Sequence, residues 1–115
     1  PKYRSFDHKI MVGDREIPVR IFRPTKNETS GVIIFFHGGG WVTGNIDSYT
    51  NVCVNMANQT RNRVISVDYR LAPENPFPHG LEDCYYATAE IFKNLDFHYT
   101  NIKESLRKPL FFLLI

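Results

Sequence analysis

The chain has 115 residues, of which 43% are hydrophobic and 23% charged, and a formal net charge of +2. That length supports one modest core, so residues 1–115 are expected to be one domain or a partial one. The well-mixed charges argue against nucleic acid or an anionic membrane surface as a partner. No apolar stretch approaches the length of a membrane span and no apolar leader opens the chain, so the expected location is cytoplasmic.

Residues 7–12 and 17–22 read as two strands joined by a turn at Gly13 and Asp14. In the second, Ile17, Val19 and Ile21 fall on one face, with Pro18 and Arg20 on the other. Pro18 suits an edge strand, because it cannot donate to a central ladder. After a polar loop at residues 26–30, Val32–Phe36 is an unbroken run of β-branched and aromatic residues, the pattern of a strand buried on both faces. It stops at three consecutive glycines, Gly38, Gly39 and Gly40, preceded by His37 and followed by Trp41. Three residues without side chains let backbone N–H groups turn outward unobstructed, and such a loop can bind a developing oxyanion.

Asp47 or Ser48 is the expected cap of a helix running to about Thr60, with Tyr49, Val52, Cys53 and Met56 at helical spacing. Residues 63–68 form another buried strand, and a loop with Pro73, Pro76 and Pro78 follows. In the next helix Leu81, Cys84, Tyr85, Thr88, Ile91, Phe92 and Leu95 fall on one stripe, with Glu82 and Asp83 favouring its N-terminal dipole. Residues 96–108 are polar and irregular, and residues 110–115 read as a last buried strand. Cys53 and Cys84 match no metal or redox spacing and read as buried free thiols of a reducing compartment. Strand, helix, strand, helix, strand is the order of parallel βαβ units, whose ligands sit at the carboxyl ends of the strands. The glycine loop leaves such an end.

His37-Gly-Gly-Gly-Trp41, then Thr43-Gly44, residues 68–74 as Asp-Tyr-Arg-Leu-Ala-Pro-Glu, Pro76-Phe-Pro78 and Glu82-Asp83 resemble the hormone-sensitive-lipase-like esterases, a family of α/β-hydrolases that includes acetyl esterases and arylacetamide deacetylases. The resemblance runs from about residue 6 to about residue 95. It implies an α/β fold, the N-terminal part of an α/β-hydrolase, with an antiparallel hairpin followed by parallel βαβαβ in a three-layer αβα arrangement. It also implies hydrolysis of a small-molecule carboxylic ester through an acyl-enzyme on serine, with no cofactor and no metal.

On matching positions, Gly38 and Gly39 would present the oxyanion-hole N–H groups. His37 and Gly40 would support the loop, and Trp41 would shape a substrate pocket, core packing being an equally weighted role for it. Asp68, Tyr69, Arg70 and Glu74 would form a structural network behind the loop. The spacing fits neither a dinucleotide nor a Walker phosphate loop. Asp68 precedes the place of a nucleophile and so is not a triad acid, since the order in this fold is serine, acid, histidine. His8, His79 and His98 read as surface or loop residues.

None of the five serines, Ser5, Ser30, Ser48, Ser66 and Ser105, carries the flanking glycines of a nucleophile elbow. Nucleophile, acid and base are therefore expected to be absent from this chain, as in a truncated or frame-shifted product, and the chain alone is expected to be inactive. The alternative is a non-catalytic remnant or small-ligand binding module of the same fold. The family's strand order puts Val32–Phe36 between residues 63–68 and the nucleophile strand, a place that residues 110–115 would have to take. Left unfilled, that apolar strand edge would make the isolated chain poorly soluble or partly molten. Gel filtration with thermal melting checks this: a monomeric elution volume and a sharp cooperative melt would count against it.

Overall fold

Alternating apolar residues in the first two strands bury one face of a hairpin. The structure is a computed structural model that describes residues 4–29, 31–40, 42–93 and 110–114. Strands β1 (Arg4–Val12) and β2 (Arg15–Arg23) pair antiparallel, Val12 opposite Arg15, and the chain reverses through Gly13 at φ 63°. Both strands extend beyond the predicted limits of 7–12 and 17–22 because the ladder continues to Arg4 opposite Arg23. Ile17, Val19 and Ile21 are buried as expected.

The remaining elements are β3 (Val32–Phe36), α1 (Thr50–Thr60), β4 (Arg63–Val67), α2 (His79–Lys93) and β5 (Leu110–Leu114). The sheet order is β1-β2-β4-β3-β5, with β3 parallel to both β4 and β5 and β2 antiparallel to β4. The expected class, an antiparallel hairpin followed by parallel βαβαβ, is the observed one. β5 fills the place beside β3, residue for residue from Val32 opposite Leu110 to Phe36 opposite Leu114.

Pro18 does not lie on an edge strand, because β2 is paired on both sides. The β4 ladder ends at Val19 opposite Val67, one residue before Pro18. Pro18 needs to offer only its carbonyl there, which accepts the Asp68 N–H at 2.9 Å.

The two helices cover opposite faces. Ile33, Phe35, Val64 and Phe22 pack with Cys53 and Ala57 of α1, with Tyr49 and Met56 against them. On the other side Ile34, Phe36, Ile65, Val67, Ile10, Ile17, Val19 and Ile21 meet Cys84, Ala87 and Ile91 of α2. This alternation along β3 and β4 is what makes three layers.

Two helix details differ from expectation. Neither Asp47 nor Ser48 caps α1; its N-cap is Tyr49, with no side-chain cap bond. The Asp47 carboxylate accepts from Arg20 Nη1 at 2.7 Å, and Ser48 donates to Asn45 Oδ1. Val52 is exposed, and Ala57 takes the buried place beside Cys53. In α2 the buried stripe is Gly80, Asp83, Cys84, Ala87 and Ile91, so Leu81, Tyr85 and Phe92 of the expected stripe are exposed. The face turned because Asp83 is drawn inward by two arginines. Leu95 and His98 lie outside the described residues.

Asp83, 2% exposed, receives Arg15 Nη2 at 2.5 Å, Arg70 Nη2 at 3.0 Å and the Arg70 backbone N–H at 2.9 Å. Burial raises an acid's pKa, but these hydrogen bonds outweigh it and hold the Asp83 carboxyl below its ordinary value. A lowered native value stabilises the fold above the unfolded value of about 3.9, and that contribution is lost as pH falls through the native value. Thermal melts across pH should therefore show Tm falling in acid below about pH 4. At neutral pH, Asp83→Asn should cost about 1–3 kcal/mol in urea unfolding, since it removes the charge from bonds to two arginines that water partly reaches.

The glycine loop as a candidate active site

β3 delivers His37 and the glycines to the carboxyl end of the sheet, next to the carboxyl end of β5. His37 is 1% exposed, and its ring stacks on Tyr69 with centroids 4.3 Å apart and planes 15° apart. The Tyr69 hydroxyl donates to the His37 carbonyl at 2.6 Å. His37 Nδ1 lies 2.9 Å from the Gly38 carbonyl, which assigns the ring proton to Nδ1. The Gly39 carbonyl accepts from Val42 N at 3.1 Å, Thr43 N at 3.0 Å and Thr43 Oγ1 at 3.2 Å. The amides of Gly38, Gly39 and Gly40, by contrast, donate to nothing among the described residues. Gly38 is buried, while Gly39 and Gly40 face solvent.

Glycine is required here for two reasons. Gly39, Gly40 and Gly44 have φ of 131°, 62° and 92°, a region that L side chains rarely adopt. In addition, a Cβ on Gly39 would sit 2.0 Å from the Thr43 carbonyl oxygen, and one on Gly44 2.4 Å from the Gly38 carbonyl oxygen. The Thr43-Gly44 pair thus lets the loop fold onto itself. Nothing about their spacing identified them as more than part of a motif.

The expected network behind the loop divides. Tyr69 and Arg70 belong to it, through His37 and Asp83 respectively. Glu74 is exposed and makes no hydrogen bond or ion pair among the described residues, because the loop carries it outward. Asp68 lines a cavity of about 480 Å³ together with Asp7, His8, Lys9 and Arg20. Burial raises the Asp68 carboxyl above its ordinary value, and His37 and Arg20 partly offset this. Trp41 lies outside the described residues, as do Ser30 and Ser105.

Among the described residues no group of His, Cys, Asp and Glu could hold a metal ion. Burial pushes the Cys53 and Cys84 thiols up to about 11 and about 12, so neither supplies a nucleophilic thiolate at neutral pH. Ser66 is buried inside β4, and Ser48 is engaged by Asn45.

The site has a second cavity, of about 270 Å³, whose wall includes Gly40, Val42, Ala72, Phe77 and Leu81. Val42, Phe77 and Leu81 are all substantially exposed around it. Sequence reading assigned Leu81 to the core and so missed this cavity. No described helix is long and apolar enough to cross a membrane.

A family model described as the alpha/beta hydrolase fold matches residues 33–105. The chain is 43% identical over 87 residues to an arylesterase of Saccharolobus solfataricus, covering 76% of this chain and 28% of that protein. Among solved structures it resembles an arylesterase with a TM-score of 0.85 and 34% identity, covering 97% of this chain and 36% of that one. It also resembles the Pyrobaculum calidifontis esterase, with a TM-score of 0.78, 37% identity, and coverage of 85% of this chain and 32% of that one. The chain spans about a quarter of the length of the curated relatives it matches.

The loop geometry makes substitution at Gly39 the sharpest local test. Gly39→Ala should destabilise the chain by about 1–3 kcal/mol from backbone strain, with the collision at Thr43 added. Chemical denaturation would show this, and an unchanged midpoint would contradict the loop's geometry.

Proposed function

The chain belongs to the alpha/beta hydrolase family, in its hormone-sensitive-lipase-like branch, and on that footing we propose that Gly38 and Gly39 are the oxyanion-binding donors of a carboxylic-ester hydrolase. The observation that carries this reading is the set of amides at residues 38–40 that donate to nothing among the described residues, at the carboxyl end of β3. When a nucleophile adds to an ester carbonyl, the carbonyl oxygen takes up negative charge. Donors already aimed at that oxygen stabilise the charge without having to reorganise, and losing one costs roughly 3–4 kcal/mol of barrier.

The chemistry of the chain's own residues is electrostatic. The glycine amides polarise the carbonyl, and His37 and Gly40 keep the loop in shape. Trp41 and the apolar wall of Val42, Phe77 and Leu81 receive the apolar part of the ester. The nucleophile would be a serine entering beside the loop, at the end where Leu114 pairs with Phe36. Within these 115 residues no serine has the flanking glycines for that role, so this polypeptide alone gives no acyl-enzyme. The 270 Å³ cavity also favours a second reading, a small-ligand binding module without catalysis.

A chimera separates the two. The segment of this chain that matches the Saccharolobus solfataricus arylesterase is exchanged into that enzyme, which supplies the rest of the protein. The chimera should hydrolyse a short-chain p-nitrophenyl ester, and Gly39→Ala within it, which keeps the N–H but pushes the loop out of position, should lower kcat by as much as the roughly 10²–10³-fold of a lost donor. The 115-residue chain alone should give only the background rate. A folded but inactive chimera overturns the esterase reading, and turnover by the isolated chain overturns its predicted inactivity.

A further inference from the structure

The three loop amides that find no acceptor among the described residues owe their direction to the groups that hold the loop carbonyls. A trans peptide is flat, with its C=O and N–H pointing opposite ways. The peptides through residues 37–40 are not among the cis bonds of the described chain, which precede Pro73 and Pro78. Fixing a carbonyl inward therefore turns the next N–H outward. Tyr69 Oη holds the His37 carbonyl, which aims Gly38 N–H; His37 Nδ1 holds the Gly38 carbonyl, which aims Gly39 N–H. Thr43 holds the Gly39 carbonyl through both its amide and its hydroxyl, which aims Gly40 N–H.

We propose that Tyr69 and Thr43 are positioning residues of the site, each holding one loop carbonyl so that the following amide, Gly38 for Tyr69 and Gly40 for Thr43, faces a bound oxyanion. This rests on the reading of Gly38 and Gly39 as oxyanion donors and extends it to the Gly40 amide. Neither side chain need touch substrate.

Tyr69 is well placed to hold a fixed geometry. It is 4% exposed and stacked on the His37 ring. The backbone on both sides of it is anchored, Asp68 N to the Pro18 carbonyl and Arg70 N to the Asp83 carboxylate. Burial pushes its phenol up to about 12, so the hydroxyl keeps its proton, and remains a donor, across the neutral range. Thr43 differs in being exposed, so its hydroxyl can be removed with little disturbance to packing. Successive outward amides of this kind form a concave anion-binding nest.

The test is an acetate titration of the ¹⁵N-labelled 115-residue chain, the acetate oxygens standing in for the oxyanion. It is read at the Gly38, Gly39 and Gly40 amides, with Val64 and Ile65 in the sheet as internal references. In the parent chain, acetate should move the loop amides and leave the references still. Tyr69→Phe, which keeps the ring but removes the hydroxyl, and Thr43→Val should each weaken acetate about fivefold, the equivalent of one net hydrogen bond. Thr43→Ser, which restores the hydroxyl, should recover parent affinity. Equal acetate affinity in the parent, Tyr69→Phe and Thr43→Val chains overturns the positioning role while leaving the donors in place. Absence of any response at Gly38 and Gly39 in the parent overturns the donor reading and this inference with it. A Tyr69→Phe chain that does not fold overturns the positioning role of Tyr69, whose hydroxyl would then hold the fold, and the Thr43→Val and Thr43→Ser pair decides for Thr43.

Discussion

One buried carboxylate joins parts of the chain that are far apart in sequence. Asp83, on α2, takes Arg15 from the hairpin and Arg70 from the loop after β4. An ionised acid that is 2% exposed is tolerable only when its oxygens are satisfied, and here both are. The consequence reaches the site. Arg70 is fixed by its backbone amide as well as its side chain, so its neighbour Tyr69 is held where it can stack on His37 and hold the loop carbonyl. Helix orientation, loop path and glycine geometry therefore share one electrostatic anchor.

From that anchor outward the loop is built by exclusion of side chains. Gly39 and Gly44 leave room for the Thr43 and Gly38 carbonyls to approach closely, and the positive φ values tighten the turn. The carbonyls of residues 37–39 find donors within the protein, and among the described residues the amides of residues 38–40 find no acceptor. An arrangement of this kind is preorganised: nothing has to move for charge to be met. β3 carries it because the strand is paired on both sides, with β4 and β5, and packed on both faces against the two helices.

Much of the fold was legible because it follows from periodicity. Val32–Phe36 reads as a buried strand from its composition, and Ile17, Val19 and Ile21 alternate in a way only a half-buried strand requires. The glycines and His37 were legible as a candidate site because three residues without side chains after a buried strand leave backbone amides unobstructed. The errors have a common origin in polar side chains. Asp83 read as a helix-dipole residue, and only its arginine partners, 13 and 68 positions away, turn it into the core and move Leu81, Tyr85 and Phe92 to the surface. Asp47 read as a cap, but Arg20 takes its carboxylate from 27 positions away. Pro18 read as an edge residue because the length of the β4 ladder beside it is not a local property.

By itself the sequence determined the order of strands and helices, the family, and the glycine loop proposed as the oxyanion site. These follow from local periodicity, from residues without side chains and from motifs contiguous in the chain. Tertiary structure alone decided which face of α2 is buried, which group holds each loop carbonyl, and that Gly44 leaves room for the Gly38 carbonyl. The reason is physical: a hydrogen bond or an ion pair joins whichever groups the fold brings within about 3 Å, and the spacing of residues along a chain does not record that distance.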